Sequence, residues 1–142
     1  MITADLGTLE LQEEWSDADP SARFRSAFPL HRGTGTARST VVYFELAPGG
    51  AVGTHADSVE EIVLVLEGAV RVVLDGEEGT LSAGQMALVP ARVPHAVHND
   101  GDSPARCVGF FAGGRVVSTF EHALVPSGMR EFDTDALEPP SG

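Results

Sequence analysis

A single cysteine, Cys107, in a chain of 142 residues leaves no intrachain disulfide to form. That points to a reducing compartment, with Cys107 beside Val108 expected to be a small buried apolar side chain. Basic residues are also scarce, nine against twenty-one acidic ones, for a net charge of -12. This deficit argues against a broad basic face for nucleic acid or anionic membrane. No apolar stretch approaches the length of a membrane span. The start, Met1-Ile2-Thr3-Ala4-Asp5, has neither the basic residues nor the apolar run of a signal peptide. A cytoplasmic protein without nucleic-acid or membrane partners is the expectation. No internal repeat is visible, and the length suits one domain with one core.

Two clusters inside Gly49–Asn99 carry metal-ligand residue types at strand spacings. The first holds His55, Asp57, Glu60 and Glu61; the second holds His95 and His98 after the turn residues Pro90 and Pro94. Alternate residues of a strand share a face. His55 and Asp57 therefore point to one side together, Glu61 could join them from the start of the next strand, and His95 from a partner strand. Two imidazoles and one or two carboxylates facing inward suit Fe, Mn, Zn, Ni or Cu. His98 has the opposite parity to His95 and Glu60 the opposite parity to Glu61, so both are expected to face outward. His31, in a loop-like setting, and His122, beyond the last clear strand, are expected to be bystanders.

From Ser39 the pattern is β throughout. Val42, Phe44 and Leu46 alternate with Val41, Tyr43 and Glu45 before Pro48-Gly49-Gly50. Glu61–Leu66 and Ala69–Asp75 flank a turn at Glu67-Gly68, and Asp75-Gly76 signals a tight hairpin. Leu81 to Gln85 passes another turn at Ala83-Gly84, and Met86–Val89, His95–Asn99, Arg106–Ala112 and Arg115–Phe120 complete the strands. Such short strands between glycine turns predict a sandwich or barrel. Residues 1–38 read as an extension packing on the barrel, with a short strand around Leu6, Leu9 and Leu11. Phe24 and Phe28 stand at helical spacing in one short turn. Residues 39–125 are the barrel, and 126–142 a tail that crosses back over it or frays, with Pro139–Gly142 expected to fray. If Glu61 faces inward, so do Val63 and Val65, leaving Ile62, Leu64 and Leu66 outside. Both faces of that strand are apolar, so a second sheet or subunit must cover the outer one.

At these residues the chain resembles the cupin superfamily. The first cupin motif is G-x5-H-x-H-x3-4-E-x6-G; Gly49, His55, Glu61 and Gly68 fall on it, and Asp57 stands in place of the second histidine. The second is G-x5-P-x-G-x2-H-x3-N; Gly84, Pro90, His95 and Asn99 match, and Arg92 replaces the middle glycine. The resemblance implies an all-β fold, the double-stranded β-helix or jelly-roll barrel, here with an N-terminal extension. It also implies a homodimer packed on sheet faces and a structural Asn99 that ends its strand. Activity does not follow from it, because cupins include dioxygenases, isomerases, epimerases, cyclases, storage proteins and sensors.

By the same resemblance, His55, Glu61 and His95 hold one divalent metal, with Fe or Mn favoured and Zn, Ni or Cu the other choices. Asp57 has three readings: a fourth ligand that favours harder ions, a carboxylate that orients a histidine, or a general base. Arg92 is a candidate anchor for an anionic substrate if it reaches the barrel mouth. The expected partner is a small organic molecule. Three functions fit. The first is a dioxygenase-like enzyme acting on an aromatic or enolic substrate, in a pocket walled by Val63, Val65, Met86 and phenylalanines. The second is an isomerase or cyclase, with or without metal, and the third a ligand-binding cupin without turnover.

Overall fold

The computed structural model describes residues 1–138. Among them twelve strands form: β1 (Gln12–Ser16), β2 (Arg23–Leu30), β3 (Thr40–Leu46), β4 (Ala51–Asp57), β5 (Glu61–Glu67) and β6 (Ala69–Leu74). After these come β7 (Glu77–Ser82), β8 (Met86–Val89), β9 (His95–His98), β10 (Ala105–Phe111), β11 (Val117–Val125) and β12 (Met129–Asp133). One sheet runs β7-β6-β9-β4-β11-β1-β2-β3-β10-β5-β8, with β12 paired to β11. All pairings are antiparallel. The sheet curls into a nearly closed jelly-roll barrel, whose core holds Phe24, Phe44, Leu46, Val63, Val65, Val70, Phe111, Phe120 and their neighbours. No helix among the described residues is long and apolar enough to cross a membrane.

The expected parity of β5 holds. Glu61, Val63 and Val65 are buried, while Ile62, Leu64 and Leu66 are more open. Turn chemistry holds as well: Asp75 and Gly76 take φ of 47° and 86° between β6 and β7. Gly68 has φ 79°, and a Cβ there would run into the backbone of Pro104 and Ala105. Only glycine fits that turn without displacing the neighbouring strand.

The N-terminal expectations need correction. Leu6–Thr8 is a 3-10 turn, and the first strand begins only at Gln12. Phe24 and Phe28 lie in β2, not in a helical turn. Residues four apart share a face at either period, so their spacing could not separate strand from helix. Both β1 and β2 sit inside the sheet between β11 and β3, so no break at residue 38 separates an extension from the barrel. Smaller shifts occur elsewhere. The turn expected at Ala83-Gly84 follows β7, Glu77–Ser82, and β11 runs on to Val125, past the expected end at Phe120. Part of the expected tail forms β12, whereas Pro139–Gly142 lie outside the described residues.

Candidate metal centre

His55 and Asp57 come from β4, His95 from β9 and Glu61 from the first residue of β5. The pairing of β4 with β9 carries an irregularity between Val52 and His55: Val52 opposes Val97, and His55 opposes His95. Three steps along one strand thus match two along the other, which is a β-bulge. It reverses the parity of β4, so that Val52 and His55 both reach the interior cavity. The bulged Gly53 also supplies the carbonyl that accepts from His55 Nδ1 at 2.7 Å. His95 Nδ1 donates in the same manner to the Val93 carbonyl at 2.9 Å. A carbonyl only accepts, so both Nδ1 atoms carry a proton and both Nε2 atoms face the cavity, each offering a lone pair when its ring is neutral.

Ligand atoms of His55, Asp57 and His95 lie within 4.8 Å of one another. His95 Nε2 is 3.2 Å from Asp57 Oδ2, and His55 Nε2 is 3.8 Å from the same oxygen. Ser118 Oγ donates to the other oxygen, Asp57 Oδ1. Asp57 Oδ2 and His95 Nε2 are nevertheless buried without a hydrogen-bond partner, although they stand close enough to attract each other by charge. Two unpartnered buried polar atoms aimed at one point are what a cation would satisfy. The donor set fits a divalent metal. Glu61 stands slightly apart, with Oε1 3.7 Å from His95 Nε2. Its carboxylate occupies the space left by Gly109 on β10, where any Cβ would collide with Glu61 Oε2.

Burial and charge split the four groups. Burial lowers His55 to about 4, against the opposing pull of Asp57. Burial also acts to lower His95, but the Asp57 and Glu61 carboxylates outweigh it and raise His95 to about 10. Burial pushes Asp57 up, yet His95, His55 and the Ser118 hydroxyl leave it below its ordinary value. Glu61 ends above its ordinary value, through burial first, and with the negative charge of Asp57 adding to it.

The cluster lines a cavity of about 80 Å³. Six of the seven phenylalanines line that cavity: Phe24, Phe28, Phe44, Phe111, Phe120 and Phe132. Phe120 stacks on the His55 ring at 4.7 Å and on Phe24 at 6.4 Å, and Phe28 stacks on Phe132 at 5.2 Å. Ser118 and Phe120 are the cross-strand partners of Asp57 and His55 on β11. The sequence reading missed both, although their alternation in Ser118-Thr119-Phe120 was available as a signal. It also missed Glu14 and Ser26, which line the cavity from β1 and β2.

Other expected residues fall elsewhere. Val63 lines the cavity, but Val65 is sealed in the core and Met86 is exposed on the outer face. Val65 is held by the packing around it, and Met86 follows the outward parity of its partner Leu64. Arg92 is exposed, outside the cavity lining, with φ 65°. That left-handed backbone accounts for glycine in the cupin motif, and the Arg92 N–H donates to the Asp57 carbonyl at 2.7 Å. Glu60 and His122 are exposed, and His98 is half-buried outside the lining. His31 is buried but serves as a cap, its Nδ1 accepting from the Gly33 N–H. Asn99 ties the strand end to Leu46 and Ser103 through its side-chain amide. Cys107 is wholly buried, and burial pushes its thiol up to about 12.

The family model described as "Cupin domain" matches residues 42–111. Over 64 residues the chain is 39% identical to a protein named polyketide synthase CurC from Streptomyces cyaneus, a stretch covering 44% of this chain and 42% of that one. The chain thus matches less than half the length of that curated relative. Among solved structures, TT1209 from Thermus thermophilus is 27% identical with a TM-score of 0.63, over 80% of this chain and 98% of that one. A predicted oxalate decarboxylase from Thermotoga maritima is 15% identical with a TM-score of 0.67, over 78% and 98% respectively. At that identity the likeness is one of fold. With its motifs, barrel and inward histidines, the chain belongs to the cupin superfamily.

Proposed function

We propose that this cupin is a metal-dependent enzyme acting on a small aromatic or enolic molecule, with polyketide-type compounds the substrate class. The observation that carries the reading is the convergence of His55 Nε2, His95 Nε2 and Asp57 Oδ2 in a cavity lined by six phenylalanines. A flat ring matches stacked aromatic walls, and the likeness to the protein named polyketide synthase supports the choice of class. His55, Asp57 and His95 would hold the metal, with Glu61 beside them. When bound, the metal would polarise a substrate oxygen and, if it is iron or manganese, would support oxygen chemistry.

Oxygen-dependent chemistry is the first reading, from the two imidazoles and one carboxylate. Cyclisation or isomerisation is the second, favoured by the position of Glu61. It stands outside the tight cluster and above its ordinary pKa, while Asp57 lies below its own. Two carboxyls pushed apart in this way suit the two directions of a proton transfer. The test is metal analysis of the protein, then oxygen uptake and product analysis with hydroxylated aromatic and enolic substrates. Oxygen consumed with substrate supports the first reading, and turnover without it the second. Metal well below half an equivalent under every supplement sinks both in their metal form, and saturable binding without turnover leaves a ligand-binding protein.

A further inference from the structure

The inward face of β1 breaks the pattern of the barrel. Its inward positions are Glu14 and Ser16, whereas the matching face of β3 carries Val42, Phe44 and Leu46. Glu14 pairs across the ladder with Phe24, a cavity residue, and lines the cavity itself. The neighbouring arginines do not serve it. Arg23 binds Glu13 at 3.0 Å and covers the Trp15 ring, and Arg25 binds Glu45; both lie on the outward face. Among the described residues, the Glu14 carboxylate forms no ion pair or side-chain hydrogen bond. Glu14 is half-buried where the cavity meets the outer groove, so its carboxylate, with no protein partner, is open to water or to a ligand.

Its position is also informative. An outer groove, lined in part by Gln12, Met129 and Glu131, shares Glu14, Phe120, Leu124 and Phe132 with the cavity. These four residues form the partition between groove and cavity. A wall of rings runs from the partner of Glu14 to the metal cluster, Phe24 on Phe120 and Phe120 on His55. A flat molecule laid along that wall would reach from the histidines towards Glu14.

We propose that Glu14 is the second recognition point of the cavity, accepting a hydrogen bond from a hydroxyl at the end of an aromatic or enolic ligand remote from His55, Asp57 and His95. This rests on the cavity being the ligand site, as read above. Burial raises the Glu14 pKa, so the group gains from a donor that replaces lost water.

Calorimetric binding of 2-naphthol and of 2-methoxynaphthalene, which lacks the donor, tests the assignment on the metal-free full chain. The parent is expected to prefer 2-naphthol by about tenfold, the scale of one hydrogen bond to a charged group. Glu14→Leu is expected to abolish that preference, and Glu13→Leu, one residue away on the outward face, to keep it. Glu14→Gln preserves the side-chain shape, is expected to lower the preference, and decides the matter if the leucine variant fails to fold. No preference in the parent, a preference surviving in both Glu14 variants, or an equal loss in Glu13→Leu overturns the assignment. Metal uptake is measured separately, by returning divalent metal to the same protein. A Glu14-dependent preference in a protein that takes up no metal would refute the metal centre and leave this inference standing.

Discussion

Asp57 is the residue that sets this centre apart from the usual cupin histidine set, and its two oxygens have different surroundings. Oδ1 takes the Ser118 hydroxyl, while Oδ2 is unpartnered between the two Nε2 atoms. An oxygen so placed is available as a ligand. Asp57→Ala is therefore expected to weaken metal binding by roughly a hundredfold or more, beyond the loss seen for groups that only orient a ligand. Unchanged occupancy and affinity in that variant would assign Asp57 to proton transfer instead. A second expectation concerns pH. His95 holds its second proton up to about 10 in the metal-free protein, and His55, at about 4, is already neutral. Metal must displace that His95 proton, so apparent affinity should rise about tenfold per pH unit between pH 6 and 8, with roughly one proton released. Calorimetry in buffers of different ionisation enthalpy counts that proton; affinity independent of pH would contradict the charge balance described. The sign for stability follows from the same value. A folded pKa above the unfolded 6.5 stabilises the metal-free fold below pH 6.5, and that contribution is lost as pH rises through about 10.

At the scale of elements, the candidate centre depends on two backbone features that would offer no donor atoms of their own to a metal. One is the β4 bulge, which brings His55 to the face of Val52. The other is Gly109 on β10, whose missing side chain leaves room for the Glu61 carboxylate. Gly109→Ala should displace Glu61, and Val42 is too close for the alanine to turn aside. The expected cost is about 1–3 kcal/mol of stability, typical of overpacking, with altered metal affinity if Glu61 is a ligand. Thermal melting beside metal titration checks both; a variant unchanged in both would remove Glu61 from its place over Gly109. These features also explain what was legible in the sequence. His55, Asp57, Glu61 and His95 stood at readable offsets, and β5 showed its parity because one face meets the core. The bulge was not legible, because one inserted residue changes parity without leaving a compositional mark. β1 was missed because its inward face is polar, and β2 because Phe24 and Phe28 are four residues apart. Pairing partners determine such segments, and pairing across a hundred residues, as for Trp15 with Val125, has no local signature.

Among the described residues, a contiguous apolar group lies exposed on one sheet face. On the outer face of β8, β5 and β10, Ile62 lies beside Leu88 and Phe110, and Leu64 beside Met86 and Val108. Met86 is 63% exposed, Leu88 57%, Phe110 44% and Ile62 40%. Scattered apolar residues on a surface need no explanation, but a contiguous group on a sheet face marks an interaction site. The strand β8 also ends the sheet, with one edge unpaired, and a free flat edge next to apolar side chains invites pairing. A second copy of the chain is the simplest partner, because a two-fold axis through this face lets the same residues meet themselves. Ion pairs frame the patch at Arg25–Glu45 and Arg106–Glu67, which suits a polar rim around an apolar centre. Light scattering at micromolar concentration is expected to give twice the chain mass of 14.9 kDa. Because each copy carries a net charge of -12, association should strengthen as salt screens the repulsion. Ile62→Asp places a carboxylate at the centre of the patch and is expected to yield a monomer. That side chain points away from Glu61 and Val63, so the monomer should still bind metal through the barrel interior. A parent protein that stays monomeric at every salt concentration would remove the case for a self-complementary face, while a monomeric Ile62→Asp that loses its metal would show that the outer face and the centre are coupled through β5.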